Sequence, residues 1–144
     1  MNFLLILTLI CWICSCMACS CMPFTVEQHF CKSDSIFQMR VISDKQEIDT
    51  KDNGLVSYDI KIEKIFKSNE KVNKKLDSAP KIWTSDSSAS CGLTFIKDQV
   101  YIVAGYLVDN KLMASSCGLH RKVDDLEEEE KKFFDAEYHS VKCE

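Results

Sequence analysis

Cysteine is the residue type with the most chemistry to offer here, and it is unevenly spread. There are nine: Cys11, Cys14, Cys16, Cys19, Cys21 and Cys31 lie close together, and Cys91, Cys117 and Cys143 are far apart. Clustered thiolates can hold a soft metal or pair as disulfides. A zinc-thiolate site calls for a second closely spaced pair downstream, and none follows Cys31. The other chemistry-bearing side chains form no constellation. His29, His120 and His139 are scattered and belong to no HExxH or His-x-His spacing. The carboxylates show no spacing that marks an acid and base pair. With four glycines in the whole chain there is no phosphate-cradling loop. An enzyme is therefore not expected.

The position of the cysteines along the chain decides between the thiolate readings. Residues 1–18 carry no charged side chain, run apolar from Phe3 to Ile13, and end in the small-residue stretch Cys16-Met17-Ala18. That pattern is a secretory signal peptide, with cleavage expected after Ala18. The run is much shorter than the roughly 20 apolar residues that span a bilayer. Cleavage would remove Cys11, Cys14 and Cys16, leave the even set Cys19, Cys21, Cys31, Cys91, Cys117 and Cys143, and make Cys19 the first residue. Six cysteines in a secreted chain read as a disulfide framework, and spacing alone leaves about 15 connectivities open.

These residues need a scaffold. Residues 19–144 suffice for one domain with a real core. The net charge of −4 argues against nucleic acid or an anionic membrane as partner. No Asn-x-Ser/Thr sequon is present. From Ile36 to Ile42, Phe37, Met39 and Val41 alternate with Gln38 and Arg40; Tyr58, Ile60 and Ile62 likewise alternate with Asp59, Lys61 and Glu63. Period two predicts strands with one buried face. Ile65 and Phe66 break the alternation, which predicts a bulge near Glu63-Lys64. Ser43 to Gly54 is polar and closes with the turn chemistry of Asp52-Asn53-Gly54. Residues 68–79 read as an exposed Lys-rich loop, Lys81 to Thr84 as a short strand, and Ser85 to Ser90 as a solvated loop. The apolar run Gln99 to Val108 predicts a central strand covered on both faces, turning at Asp109-Asn110 into Leu112-Met113-Ala114. One helix is expected, from about Asp124 to Tyr138, capped by Asp124 with Glu127 and burying Leu126, Phe133, Phe134 and Ala136.

Three stretches carry a resemblance to a known family. Cys19-Ser20-Cys21-Met22-Pro23, followed by Cys31-Lys32-Ser33-Asp34, is similar in identity and spacing to the N-terminal signature of the tissue inhibitors of metalloproteinases. The Ser/Ala-rich approach to Cys91-Gly92 resembles that family's loop before its fourth cysteine. Tyr101 to Leu107 resembles one of its strands, with Cys117 and Cys143 where its last two cysteines belong. The resemblance covers essentially all of residues 19–144. It implies a mainly β fold: a five-stranded OB-fold barrel of the netrin-like type with flanking helices and the disulfides Cys19–Cys91, Cys21–Cys117 and Cys31–Cys143. One departure from the family pattern is that vertebrate members carry a second, six-cysteine domain where this sequence ends one residue after Cys143, so a single inhibitory domain is expected.

The implied activity is inhibition of extracellular zinc metalloproteinases of the matrix type by a secreted monomer. It has no cofactor of its own; the zinc is the target's. A catalytic zinc keeps a position open for water. The free α-amine and carbonyl of Cys19 would chelate it there, Ser20 would enter the specificity pocket, and Cys21, Met22 and Pro23 would lie along the substrate groove. Ser88, Ala89 and Ser90 would form the other half of the inhibitory ridge. Ser20 stands where Thr is common, and the acidic run Glu127 to Glu130 matches no motif of the family. The alternative from another class is a netrin-like binding module that inhibits nothing, because a shared fold does not fix function.

Overall fold

A computed structural model describes residues 19–47, 54–78 and 80–143. Residues 1–18, where a signal peptide is expected, and Asp52 and Asn53 of the expected turn lie outside the described residues. The segments expected as strands form β1 (Ser35–Val41), β3 (Leu55–Lys67), β4 (Lys81–Ser85), β5 (Val100–Val108) and β6 (Lys111–Met113); two short strands that were not expected, β2 (Gln46–Glu47) in the polar connection and β7 (His120–Lys122), join them. Antiparallel pairing joins β1 to β3, β3 to β4 and β6 to β5; β4 meets β6 in parallel at Trp83 and Met113. β1 also pairs with β5, so the ring β1-β3-β4-β6-β5 closes into a five-stranded barrel. Closure leaves no open edge among those five strands. β2 extends β3 on one side, and β7 extends β5 on the other.

β3 is long enough to serve both halves of the barrel because it is bulged. Gln38 faces Lys64 while Met39 faces Ile62, so Glu63 is the extra residue; a second shift between Ile36 and Phe37 leaves out Phe66. The first bulge is where the broken alternation puts it. Such insertions bend a strand and let a small barrel turn its corners.

Two apolar clusters result. The barrel interior holds Phe37, Met39, Val41, Val56, Tyr58, Ile60, Ile82, Tyr101, Val103 and Leu112. Ile36, Phe66, Ile102 and Ala104 point the other way and meet Leu119 and the aromatic rings of the helices. β5 thus buries Tyr101 and Val103 inward and Ile102 and Ala104 outward, the physical reason for its unbroken apolar run. The β5–β6 hairpin turns at Asp109 and Asn110, both at positive φ (46° and 63°), as a tight two-residue connection requires.

The helices depart most from the sequence reading. Most of the stretch read as a loop is helical: α2 (Glu70–Asp77) is capped by the Asn69 side chain accepting from Val72 N–H at 3.0 Å. Val72 and Leu76, one turn apart, plug the barrel, while a Glu70–Lys74 pair decorates the wet side. Two apolar residues at i,i+4 among many lysines gave too weak a period to stand out. A further helix, α1 (Val26–Lys32), precedes β1, so the C-terminal helix is not alone. That C-terminal helix is shorter than expected, α3 (Glu128–Asp135) flanked by single 3-10 turns at Val123–Asp125 and Glu137–Ser140. Its cap is Glu127, boxed with Glu130, and not Asp124. Leu126, Phe133 and Phe134 are buried as expected, but Ala136 is exposed because the helix has ended before it. Among the described residues no helix is long and apolar enough to cross a membrane.

Candidate functional site

An N-terminal strip of chain would fray if nothing fastened it. Here residues 19–25 are fastened at alternate points. Cys19 is bonded to Cys91 and Cys21 to Cys117, with Cα separations of 5.1 and 5.0 Å. The strip then enters α1 through Thr25, whose Oγ1 accepts from Gln28 N–H at 3.3 Å while Gln28 Oε1 accepts from Thr25 N–H at 2.9 Å. Phe24 is held at the same point: the Lys32 ammonium sits 3.9 Å from its ring centre and the His29 ring packs edge-on at 5.5 Å. Between these anchors Ser20, Met22 and Pro23 are exposed, and Met22 keeps 72% of its surface in water.

The loop beside the strip is equally fixed. Ser88–Ser90 make one 3-10 turn, and Ser88, Ala89 and Ser90 are all exposed. The turn is closed by Cys91 N–H to Ser88 O at 3.1 Å and Gly92 N–H to Ser87 O at 3.0 Å. Cys91 adopts a left-handed conformation, φ 59°. Gly92 lies so close to the Ser85 and Ser87 carbonyls that a Cβ there would collide with backbone. Ser116 N–H donates to Cys91 O at 2.9 Å, and Thr84 Oγ1 accepts from Leu93 N–H at 2.9 Å, tying the loop to the barrel. Lys45 pairs with Asp86 at 2.8 Å on its outer side.

The expected residues are thus brought together: Cys19 to Pro23 form one exposed ridge and Ser88 to Ser90 a second, joined through Cys19–Cys91. The third disulfide, Cys31–Cys143 (Cα separation 5.2 Å), holds the end of α1 to the C-terminal segment. Lys67 reinforces that helix end by donating to Phe30 O at 2.6 Å and Cys31 O at 3.0 Å; burial pushes its ammonium below the ordinary lysine range. His29 is lowered as well, first by burial and then by the charges of Arg121, His120 and Lys32.

Sequence reading missed Phe24, Thr25, Gln28 and Ser116, which hold the ridge without belonging to it, and named Gly92 only as part of a family-like stretch, without its packing role. Thr25-x-x-Gln28 carries a legible capping-box signal. Gly92 and Ser116 carry none, since their roles depend on which carbonyls the fold brings beside them. Together the two exposed segments are joined by the Cys19–Cys91 bond and fastened to the barrel by the Cys21–Cys117 bond and the Ser116 N–H to Cys91 O contact.

Comparison with known proteins bears on the family of the chain. A family model described as tissue inhibitor of metalloproteinase matches residues 17–144. A Drosophila melanogaster protein named tissue inhibitor of metalloproteinase is 31% identical over 88 residues, which make up 61% of this chain. The matched part spans only 40% of the length of that relative.

Proposed function

Because the chain belongs to the tissue inhibitor of metalloproteinase family, we propose that it is a secreted inhibitor of zinc metalloproteinases and that the Cys19 to Pro23 strip occupies their active-site cleft. Cleavage after Ala18 would free the α-amine of Cys19. That amine and the carbonyl oxygen of the same residue would form a five-membered chelate with the target's zinc and displace its nucleophilic water. The sulfur of Cys19 takes no part, being bonded to Cys91. Only the unprotonated amine binds, and its ordinary pKa of about 7.7–8.0 makes deprotonation inexpensive near neutral pH.

The carrying observation is the fastening of residues 19 and 21 by two adjacent disulfides, with exposed Ser20 between them. A strip ordered before binding loses little conformational entropy on association. Ser20 would project into the specificity pocket and, being small, leave it partly empty, which favours broad recognition over selectivity. Cys21, Met22 and Pro23 would follow the substrate groove, and Ser88, Ala89 and Ser90 would press on its opposite wall. Inhibition needs no catalytic residue and no cofactor of the chain's own. The partners would be extracellular proteases of the matrix type, met by a monomer.

The test is an inhibition assay comparing the chain that starts at Cys19 with one bearing an additional Ala before it. The extension moves the amine off the chelating residue and should abolish most of the inhibition. Equal potency of the two proteins would overturn the chelation mechanism.

A further inference from the structure

The two disulfides of the ridge are not separate staples. Cys19 Sγ lies 3.5 Å from Cys117 Sγ and 3.7 Å from Cys21 Sγ, and Cys91 Sγ lies 3.4 Å from Cys117 Sγ. All four sulfurs fall within 4.8 Å of one another. Cys31 and Cys143 contribute nothing to this group. A tetrahedral zinc tetrathiolate, with Zn–S of about 2.3 Å, has its sulfurs about 3.8 Å apart on every edge. Three edges of that tetrahedron already exist across the two bonds, and opening the bonds themselves supplies two more.

We propose that, when a dithiol reduces these two disulfides, the protein binds one zinc ion through Cys19, Cys21, Cys91 and Cys117. Each disulfide takes two electrons and two protons from a dithiol, which leaves as its cyclic disulfide. The four thiols then release four protons as they bind the metal, giving a centre of net charge −2. Cys21 is exposed and offers the reductant its point of attack. An all-sulfur donor set suits zinc over hard cations.

The barrel keeps half of the site in place without any disulfide. Cys91 is held by its N–H to Ser88 O at 3.1 Å and by its carbonyl accepting from Ser116 N–H at 2.9 Å, while Gly118 N–H to Ser115 O at 3.0 Å closes the turn around Cys117. Ser116 Oγ, 3.5 Å from Cys19 Sγ, can donate to a metal-bound thiolate there. The metal would then do the disulfides' work, fastening residues 19 and 21 to residues 91 and 117. This inference stands apart from protease inhibition and does not rest on it.

The test uses the chain from Cys19 onward, reduced with a dithiol, desalted without oxygen and titrated with Co²⁺ as a spectroscopic probe. One Co²⁺ per chain is expected, with thiolate charge-transfer absorption, intense tetrahedral d–d bands, and displacement by zinc. The Cys31→Ala/Cys143→Ala variant should keep these features; Cys21→Ala and Cys117→Ala should each lose them. Since an unfolded polythiol can also bind metal, the titration is repeated in concentrated urea, where affinity should drop at least about tenfold. Absent tetrahedral bands, bands unaffected by Cys21→Ala, or equal affinity in urea would each overturn the proposal.

Discussion

Gly92→Ala tests whether the second ridge is set by backbone packing. A Cβ at this position would lie 2.8 Å from both Ser85 C and Ser87 O, and closer still to Ser85 O. All three are backbone atoms, so no side-chain rotation relieves the overlap, and the Ser87–Cys91 turn must move. Overpacking of this kind costs about 1–3 kcal/mol. At about 4 °C per kcal/mol for a domain of this size, Tm should fall by about 4–12 °C. The movement also strains the 3.0 Å Gly92 N–H to Ser87 O bond and shifts Ser88 to Ser90 relative to Cys19. A loss of about 1.4 kcal/mol in the fit of the ridge to a protease would raise the inhibition constant about tenfold. Calorimetry and an inhibition assay on the same preparation read both effects. Native Tm together with native inhibition would refute the argument that this close approach fixes the turn.

Other perturbations bear on other parts of the molecule. Ser20→Gly should change the ranking of proteases inhibited while leaving Tm within about 1 °C, because Ser20 is exposed; unchanged inhibition constants across a protease panel would count against its place in the pocket. Asn69→Ala removes the cap of α2 and should destabilise by about 1 kcal/mol in urea unfolding, and no change would show that Val72 and Leu76 alone fix the helix. His29 has a folded-state pKa lowered chiefly by burial, so the unfolded chain binds more protons just below the ordinary histidine value. Stability should therefore fall as pH drops below about 6.5, and His29→Gln should flatten that part of the profile. At lower pH further losses come from Asp59 and Glu63, held below the usual carboxylate range chiefly by hydrogen bonds from Lys81 and Gln38 respectively. An unchanged slope in the His29→Gln protein between about pH 7 and pH 5 would remove this account.

The strands were legible because alternation is a local property. Phe37, Met39 and Val41 face inward simply because successive side chains point to opposite sides. The double burial of β5, the bulge at Glu63 and the turn at Asp109-Asn110 were readable for the same reason. α2 was not, since Val72 and Leu76 are its whole apolar signal and their meaning depends on a barrel mouth that needs filling. The C-terminal helix was overextended because no Gly or Pro follows Asp135 to mark its end, and the backbone nevertheless leaves the helix at Ala136 (φ −140°, ψ −41°).

The sequence by itself determined the five strand segments that close the barrel, because period and composition are encoded over short stretches. Its family signature also carried the cysteine pairing, which spacing alone left open. Only the tertiary structure decided what those pairs do. It brought Cys19 and Cys91, 72 positions apart, and Cys21 and Cys117, 96 apart, into one group of four sulfurs beside an exposed turn. Proximity across such separations is a property of barrel closure and of β1 pairing with both β3 and β5, and no local pattern encodes it.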